Sequence, residues 1–175
     1  MPNIFIPTDA TFDQHAADVF MRSWGVYKKV IAKNYMFHQE ITKAVSEYLA
    51  SHQLGQKLKM IDLGCGDASM AIPLIPPQRF DEYIGCDLSD MALKIGDDQL
   101  NKLQIDHQLL VKDMDSGILL QDEVSLDVAF SSFAMHHLDP SSKKSLVNKI
   151  YSKLKPGGCF ILVDVFRQPG EDRAQ

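Results

Sequence analysis

Apolar residues along this chain recur in two rhythms. Five short, dense apolar runs read as strands: Lys59-Met-Ile-Asp-Leu-Gly-Cys-Gly-Asp67, Asp81-Glu-Tyr-Ile-Gly-Cys-Asp87, His107-Gln-Leu-Leu-Val-Lys-Asp-Met114, Leu126 to Leu138, and Leu154 to Asp164. Stretches with helical spacing lie between and before them. Thr11–Phe20 and Val26–Leu49 are periodic, the latter with Tyr27, Val30, Ile31, Tyr35, Ile41 and Val45 on its apolar positions. Asp67-Ala-Ser-Met-Ala-Ile72 predicts a helix directly after the first strand. A second helix starts after Asp87, with Ser89 or Asp90 as its cap, and a third starts near Pro140. Strands alternating with helices predict an α/β fold: a Rossmann-like, doubly wound, mostly parallel sheet.

The chemistry concentrates at strand ends. After the first strand, Gly64 and Gly66 form a tight turn in which a backbone can approach a nucleoside closely, since glycine adopts angles other residues avoid and carries no Cβ. Asp87 ends the second strand about 25 residues beyond Asp62. A carboxylate there matches the two neighbouring hydroxyls of a ribose. The other use of Asp87 would be to cap the following helix, but Ser89 and Asp90 supply that function. Asp113 follows the third strand within a run of turn formers, Asp113-Met-Asp-Ser-Gly117, and is either a ligand contact or part of a polar turn.

The run Asp62-x-Gly64-x-Gly66 resembles the first motif of the class I S-adenosylmethionine-dependent methyltransferases. A dinucleotide-binding Gly-x-Gly-x-x-Gly pattern would place its third glycine at Ser69. The methyltransferase motif would have glycine where Ala68 stands, a mild departure. The five strands arrive in that family's order and spacing from Lys59 to about Asp164. By resemblance, Asp62, Gly64, Cys65, Gly66, Asp87, Leu88, Asp113, Met114 and Ser131 bind S-adenosylmethionine. Asp87 would hold the ribose, Asp113 the adenine amino group and Met114 the ring, while Ser131 and Ser132 would lie beside the methionine part. Lys155-Pro-Gly-Gly158 turns the chain into the last strand.

The resemblance implies methyl transfer to a small-molecule acceptor by direct in-line displacement. The alternatives are a non-catalytic S-adenosylmethionine-binding or protein-interaction module and a nicotinamide-dependent oxidoreductase, which Ser69 disfavours. Residues 1–58 would form a helical cap over the cofactor, and residues 59–175 the binding core. Phe12, Trp24, Tyr27, Tyr35 and His38 would be the cap's contributions to an acceptor pocket. His136, with Tyr35, is a weak candidate for catalysis. The His136-His137 pair would otherwise order its loop and cap the next helix.

Composition narrows the classes. The chain has 175 residues, 45% hydrophobic and 23% charged, which suits one soluble domain with a sizeable core. With a net charge of −5 and no basic cluster, nucleic acid is not an expected partner. Amino-group methyltransferases acting on nucleic-acid bases carry an Asn/Asp-Pro-Pro-aromatic signature after the fourth strand; this chain reads Ser131-Ser-Phe-Ala134. The lysines from Lys143 to Lys155 read as a solvated helix face. No apolar run is long enough to span a membrane, and the start does not read as a signal peptide. Cys65, Cys86 and Cys159 are scattered in predicted core, which suggests reduced thiols and a cytoplasmic setting. No His/Cys cluster has zinc spacing, so no metal is expected.

The family's sheet has seven strands, whereas the sequence supplies five. Either the chain is truncated, or it is a reduced variant, or a partner completes the sheet. An unpaired edge strand would favour a homodimer.

Overall fold

The computed structural model describes residues 4–5, 25–26, 28–52, 54–55, 57–76, 79–104, 106–166 and 170. Its strands are β1 (Ile4–Phe5), β2 (Leu58–Leu63), β3 (Phe80–Asp87), β4 (His107–Val111), β5 (Leu126–Ser132) and β6 (Leu154–Val163). Its helices are α1 (His38–Ser51), α2 (Asp90–Asn101), α3 (Met114–Leu119) and α4 (Pro140–Lys153). The strands form one sheet in the order β1-β4-β3-β2-β5-β6, and every pair is parallel. The chain builds outward from β2 through β3 to β4, then returns to the far side of β2 for β5. That reversal puts the topological switch point between β2 and β5.

Both faces of the sheet are buried, as a parallel sheet requires. Side chains alternate along β2: Leu58 and Met60 enter one apolar cluster, Ile61 and Leu63 the other. Leu49 of α1, Leu74, and Leu93 and Leu100 of α2 cover the first face. Ile118 of α3 and Leu146 and Ile150 of α4 cover the second. Core positions and strand order therefore follow the apolar runs read from the sequence.

Four local features differ from the expectations. The turn after β2 does not wind into an α-helix; only a 3₁₀ turn, Ile72–Leu74, forms there. Pro73 sits in its first positions and Pro76 follows, so the ladder of helical N–H donors cannot extend. The periodic segment Val26–Leu49 is not one helix. Residues 28–32 are helical, turns follow, and Asn34 and Phe37 take left-handed backbone angles (φ 56 and 58) before α1 begins at His38. The segment 1–58 is not wholly helical either, because Ile4–Phe5 adds a short parallel strand beside β4. The lysines of α4 and the start of β6 are not a free solvated face, and Lys155-Pro-Gly-Gly158, expected as a turn, lies within β6. Lys149 pairs with Asp115, Lys153 with Glu123 and Lys155 with Asp127, and the Lys153 side chain is itself buried.

Candidate functional site

A cavity of about 1100 Å³ opens at the carboxyl ends of β2, β3, β4 and β5, at the switch point. Gly64, Cys65 and Gly66 line it after β2, Asp87 and Leu88 after β3, and Asp113 and Met114 after β4. Seven of the nine cofactor residues expected from the sequence are thus brought together.

The glycine turn is shaped by its neighbours. Gly64 has φ +76, and a Cβ built on it would lie 2.4 Å from the Ala134 Cβ. Only glycine lets β2 and the segment after β5 come this close. The Gly64 and Cys65 amides both donate to the Cys86 carbonyl, at 2.8 and 3.0 Å. Ala68 also has left-handed angles (φ 59), although it carries a side chain. The departure from the family motif at this position therefore places alanine where the backbone favours glycine.

Asp87 joins the two halves of the site. Its Oδ2 accepts from the Gly66 amide at 2.9 Å and its Oδ1 from the Ser89 amide at 2.9 Å. Helix α2 is capped by Ser89, whose hydroxyl oxygen accepts from the Ala92 amide. Asp87 is therefore not needed as that helix's cap. Each Asp87 oxygen keeps a lone pair for a ribose hydroxyl. Asp113 does two jobs: it lines the cavity and caps α3, its carboxylate accepting from the Ser116 amide at 2.7 Å and hydroxyl at 2.9 Å. The Ser116 amide bond is the first reason its pKa is lowered.

Two expected cofactor residues lie behind the wall instead. Asp62 is 1% exposed, and the Tyr83 hydroxyl donates to its Oδ2 at 2.8 Å. Burial pushes its carboxyl up to about 7; the Tyr83 bond opposes this and the charge of Asp87 adds to it. Asp62 is thus a buried carboxyl tied to Tyr83 of β3, its Oδ1 without a hydrogen-bond partner among the described residues. Ser131 is fully buried and donates to the Leu63 carbonyl at 2.8 Å, so it ties β5 to β2. Its neighbour Ser132 is the residue in the cavity wall. The period-two alternation of a strand decides between them: once Ser131 faces inward, Ser132 faces out.

Of the candidates ahead of β2, Tyr35 is 72% exposed and outside the cavity wall. His38 is buried with its ring 5.3 Å from that of Phe133, and it too is outside the wall. Met36 lines the cavity. Phe12, Trp24 and Tyr27 lie outside the described residues. His136 and His137 both line the cavity, on the 3₁₀ turn Met135–His137. They do not cap α4; Asp139 does, accepting from the Ser141 and Ser142 amides.

Sequence reasoning missed Asp67. It is 2% exposed and lines the cavity, with its Oδ1 bound by the Ser69 amide and hydroxyl. Its Oδ2 has no hydrogen-bond donor among the described residues, and the Lys28 ammonium stands 3.7 Å away. A buried carboxylate oxygen in a cavity wall, short of donors, suits a cationic ligand group. The sequence signal available was a second acid flanking the glycine turn, across it from Asp62.

Cys65 and Cys86 line the same cavity as free thiols. Burial pushes Cys65 well up and Cys86 to about 12, so neither is poised as a thiolate nucleophile. No metal-binding group of three or more His, Cys, Asp or Glu side chains occurs among the described residues. Nor is any described helix long and apolar enough to cross a membrane.

A parallel sheet with a glycine turn, a strand-end carboxylate and a cavity at its switch point is the arrangement of nucleoside-cofactor-binding α/β domains. Comparison with known proteins refines this. A methyltransferase-domain family matches residues 61–160. A carboxy-S-adenosyl-L-methionine synthase of Campylobacter hominis is 28% identical over 153 residues, 87% of this chain and 60% of that protein. An uncharacterised methyltransferase of Synechocystis sp. is 33% identical over 110 residues, 62% of this chain and 48% of that protein. An S-adenosylmethionine-dependent methyltransferase from Clostridium acetobutylicum superposes with TM-score 0.65 at 20% identity, covering 82% of this chain and 56% of that one. A Burkholderia thailandensis 1,6-didemethyltoxoflavin-N1-methyltransferase, with that substrate and S-adenosylhomocysteine bound, superposes with TM-score 0.58 at 18% identity, covering 89% and 66%. The chain belongs to the methyltransferase-domain family and has the fold of the class I S-adenosylmethionine-dependent enzymes. It spans about 60% of the length of the first curated relative.

Proposed function

We propose that this protein binds S-adenosylmethionine in the switch-point cavity and transfers its methyl group to a small-molecule acceptor. The observation that carries the reading is the Asp87 carboxylate, fixed by the Gly66 and Ser89 amides at the mouth of the glycine turn. In this reading Asp87 takes the ribose hydroxyls and Asp113 and Met114 frame the adenine, with Leu88 over it. Gly64 and Gly66 admit the methionine part, and Asp67 faces its ammonium group.

When bound, S-adenosylmethionine supplies a methyl already activated on a sulfonium. The protein's part is then to hold an acceptor in line and keep water away. The cavity, about 1100 Å³, is at the upper end for a single ligand and has room for cofactor and acceptor together. Net charge, −5, does not favour nucleic acid as the acceptor. Three buried free thiols suit a reducing, cytoplasmic setting. The part of the cap expected over 1–58 that supports this reading is Met36, which among the described residues ahead of β2 lies in the cavity wall, whereas Ile4–Phe5 joins the sheet. Among the described residues β6 has a strand partner on one side only, which leaves an edge through which two copies could pair. Light scattering showing a monomer at every concentration would remove that last element.

Isothermal titration with S-adenosylmethionine, S-adenosylhomocysteine and NAD tests the cofactor. Binding of both adenosyl ligands and not of NAD is expected; NAD binding alone would overturn the reading. The Campylobacter relative is named for making carboxy-S-adenosyl-L-methionine. Products of an acceptor screen should therefore be read by mass for a carboxylated cofactor as well as for a methylated acceptor. Binding without any product in a broad screen would favour the non-catalytic module.

A further inference from the structure

Strands β5 and β6 are in register up to the pair Ser132 and Val163, and the Phe133 amide donates to the Val163 carbonyl at 2.8 Å. This lock brings two side chains together that lie 28 residues apart in sequence. His136 Nδ1 and Asp164 Oδ1 are 2.7 Å apart. The Asp164 side chain is 4% exposed, whereas that of His136 is 34% exposed. The same Asp164 oxygen also accepts from the Val165 amide at 2.8 Å, which fixes the carboxylate at the strand end. His136 and Val165 both line the cavity.

The environment is one-sided. A carboxylate at Nδ1 favours the tautomer with its proton there, and leaves the Nε2 lone pair available. No donor to Nε2 occurs among the described residues. The segment that carries His136 is pressed onto the glycine turn, because Ala134 is the residue a Gly64 side chain would strike. The imidazole is therefore carried on the segment beside the glycine turn, where the methionine part would lie; the Met114 sulfur also approaches that turn, 3.9 Å from where a Gly64 Cβ would be. His137 also lines the cavity, its ring 4.1 Å from that of His136.

We propose that His136 is the general base for the acceptor, with Asp164 as its positioning residue, and that the acceptor carries an O–H or N–H proton that must leave. This rests on the methyl-transfer reading above. The acceptor's proton passes to His136 Nε2. Its oxygen or nitrogen lone pair forms the new bond to the methyl carbon as the carbon–sulfur bond breaks and its electron pair stays on sulfur. The imidazolium formed is held beside Asp164 and later returns the proton to water. A base at this point has no use for an acceptor that is already a thiolate or a tertiary amine, which is why it specifies the acceptor class.

The test combines structure and turnover. Nitrogen NMR of the wild-type protein should show neutral His136 protonated at Nδ1, and the Asp164→Asn variant should shift that tautomer; an Nε2-protonated wild-type ring would overturn the proposal. A screen of phenols, enols, amides and cyclic imides, beside thiolates and tertiary amines, should yield methylation in the first group. His136→Asn should then lower kcat by more than about a hundredfold, the usual size of acid–base effects, with S-adenosylhomocysteine affinity and acceptor KM little changed. A loss of under about tenfold, or methylation confined to thiolates and tertiary amines, or no methylated member in the first group, would overturn it. Should Asp164→Asn not fold, the wild-type tautomer and His136→Asn decide the matter. Loss of all adenosyl-ligand binding by the wild-type protein would instead strike the methyl-transfer reading itself.

Discussion

The Gly66 amide donates to the Asp87 carboxylate at 2.9 Å, a bond from the turn after β2 to the tip of β3. The group expected to grip the ribose also holds the glycine turn. Asp87→Ala should therefore weaken S-adenosylhomocysteine binding by at least about tenfold, or 1.4 kcal/mol. It should also lower stability by about 1 kcal/mol, because the Gly66 and Ser89 amides lose their acceptor. Calorimetric titration beside denaturant melts separates the two effects. Unchanged affinity in a folded variant would remove the ribose role.

Ala68 should be the rare alanine that glycine improves. Left-handed angles cost a side-chain-bearing residue about 1–2 kcal/mol, and glycine gives back about 0.4–1 kcal/mol through the freedom of the unfolded chain. Removing the buried Ala68 methyl costs about 0.8 kcal/mol, so the balance for Ala68→Gly is a gain of up to about 1 kcal/mol, read from urea midpoints. A loss beyond about 1 kcal/mol, more than the buried methyl and chain freedom account for against a strained alanine, would show that the φ of 59 is not strained in the folded protein.

Gly64→Ala should destabilise for two separable reasons. It strains a φ of +76 and drives a Cβ to 2.4 Å from that of Ala134. Together these predict a loss of about 2–4 kcal/mol. The double variant with Ala134→Gly should recover the steric part and keep the backbone part. Simple additivity of the two changes would mean the contact does not exist in solution.

Asp62 gives stability a specific pH dependence. Its carboxyl is raised to about 7 in the folded state, mainly by burial, so between its ordinary range and pH 7 the folded form holds a proton that the unfolded form has released. Its contribution is then fully favourable below that ordinary range, falls as pH climbs to about 7 and levels off above it. Asp62→Asn keeps an oxygen for the Tyr83 hydroxyl and cannot ionise. The variant's thermal midpoint relative to wild type should rise between pH 5 and pH 8. A difference independent of pH would show that Asp62 does not titrate in this window.

The elements legible in the sequence were those with a local physical signature. Apolar runs such as Met60-Ile61 and Tyr83-Ile84 are strands because both faces of a parallel sheet are covered. Gly64 and Gly66 mark the turn because left-handed backbone angles select for glycine, and Asp87 is an acid at a strand end that lines the cavity. The helix expected after Asp67 failed because the prolines beyond Ile72 outweigh a short run of good helix formers. The sequence by itself thus determined the five strands from β2 to β6, the glycine turn and the end of the sheet at which the cavity opens. Only the tertiary structure decided which side chains reach the cavity. Ser132 rather than Ser131, Asp67 rather than Asp62, and His136 paired to Asp164 follow from pleat, register and the approach of distant strand ends, none of which spacing along one chain can specify.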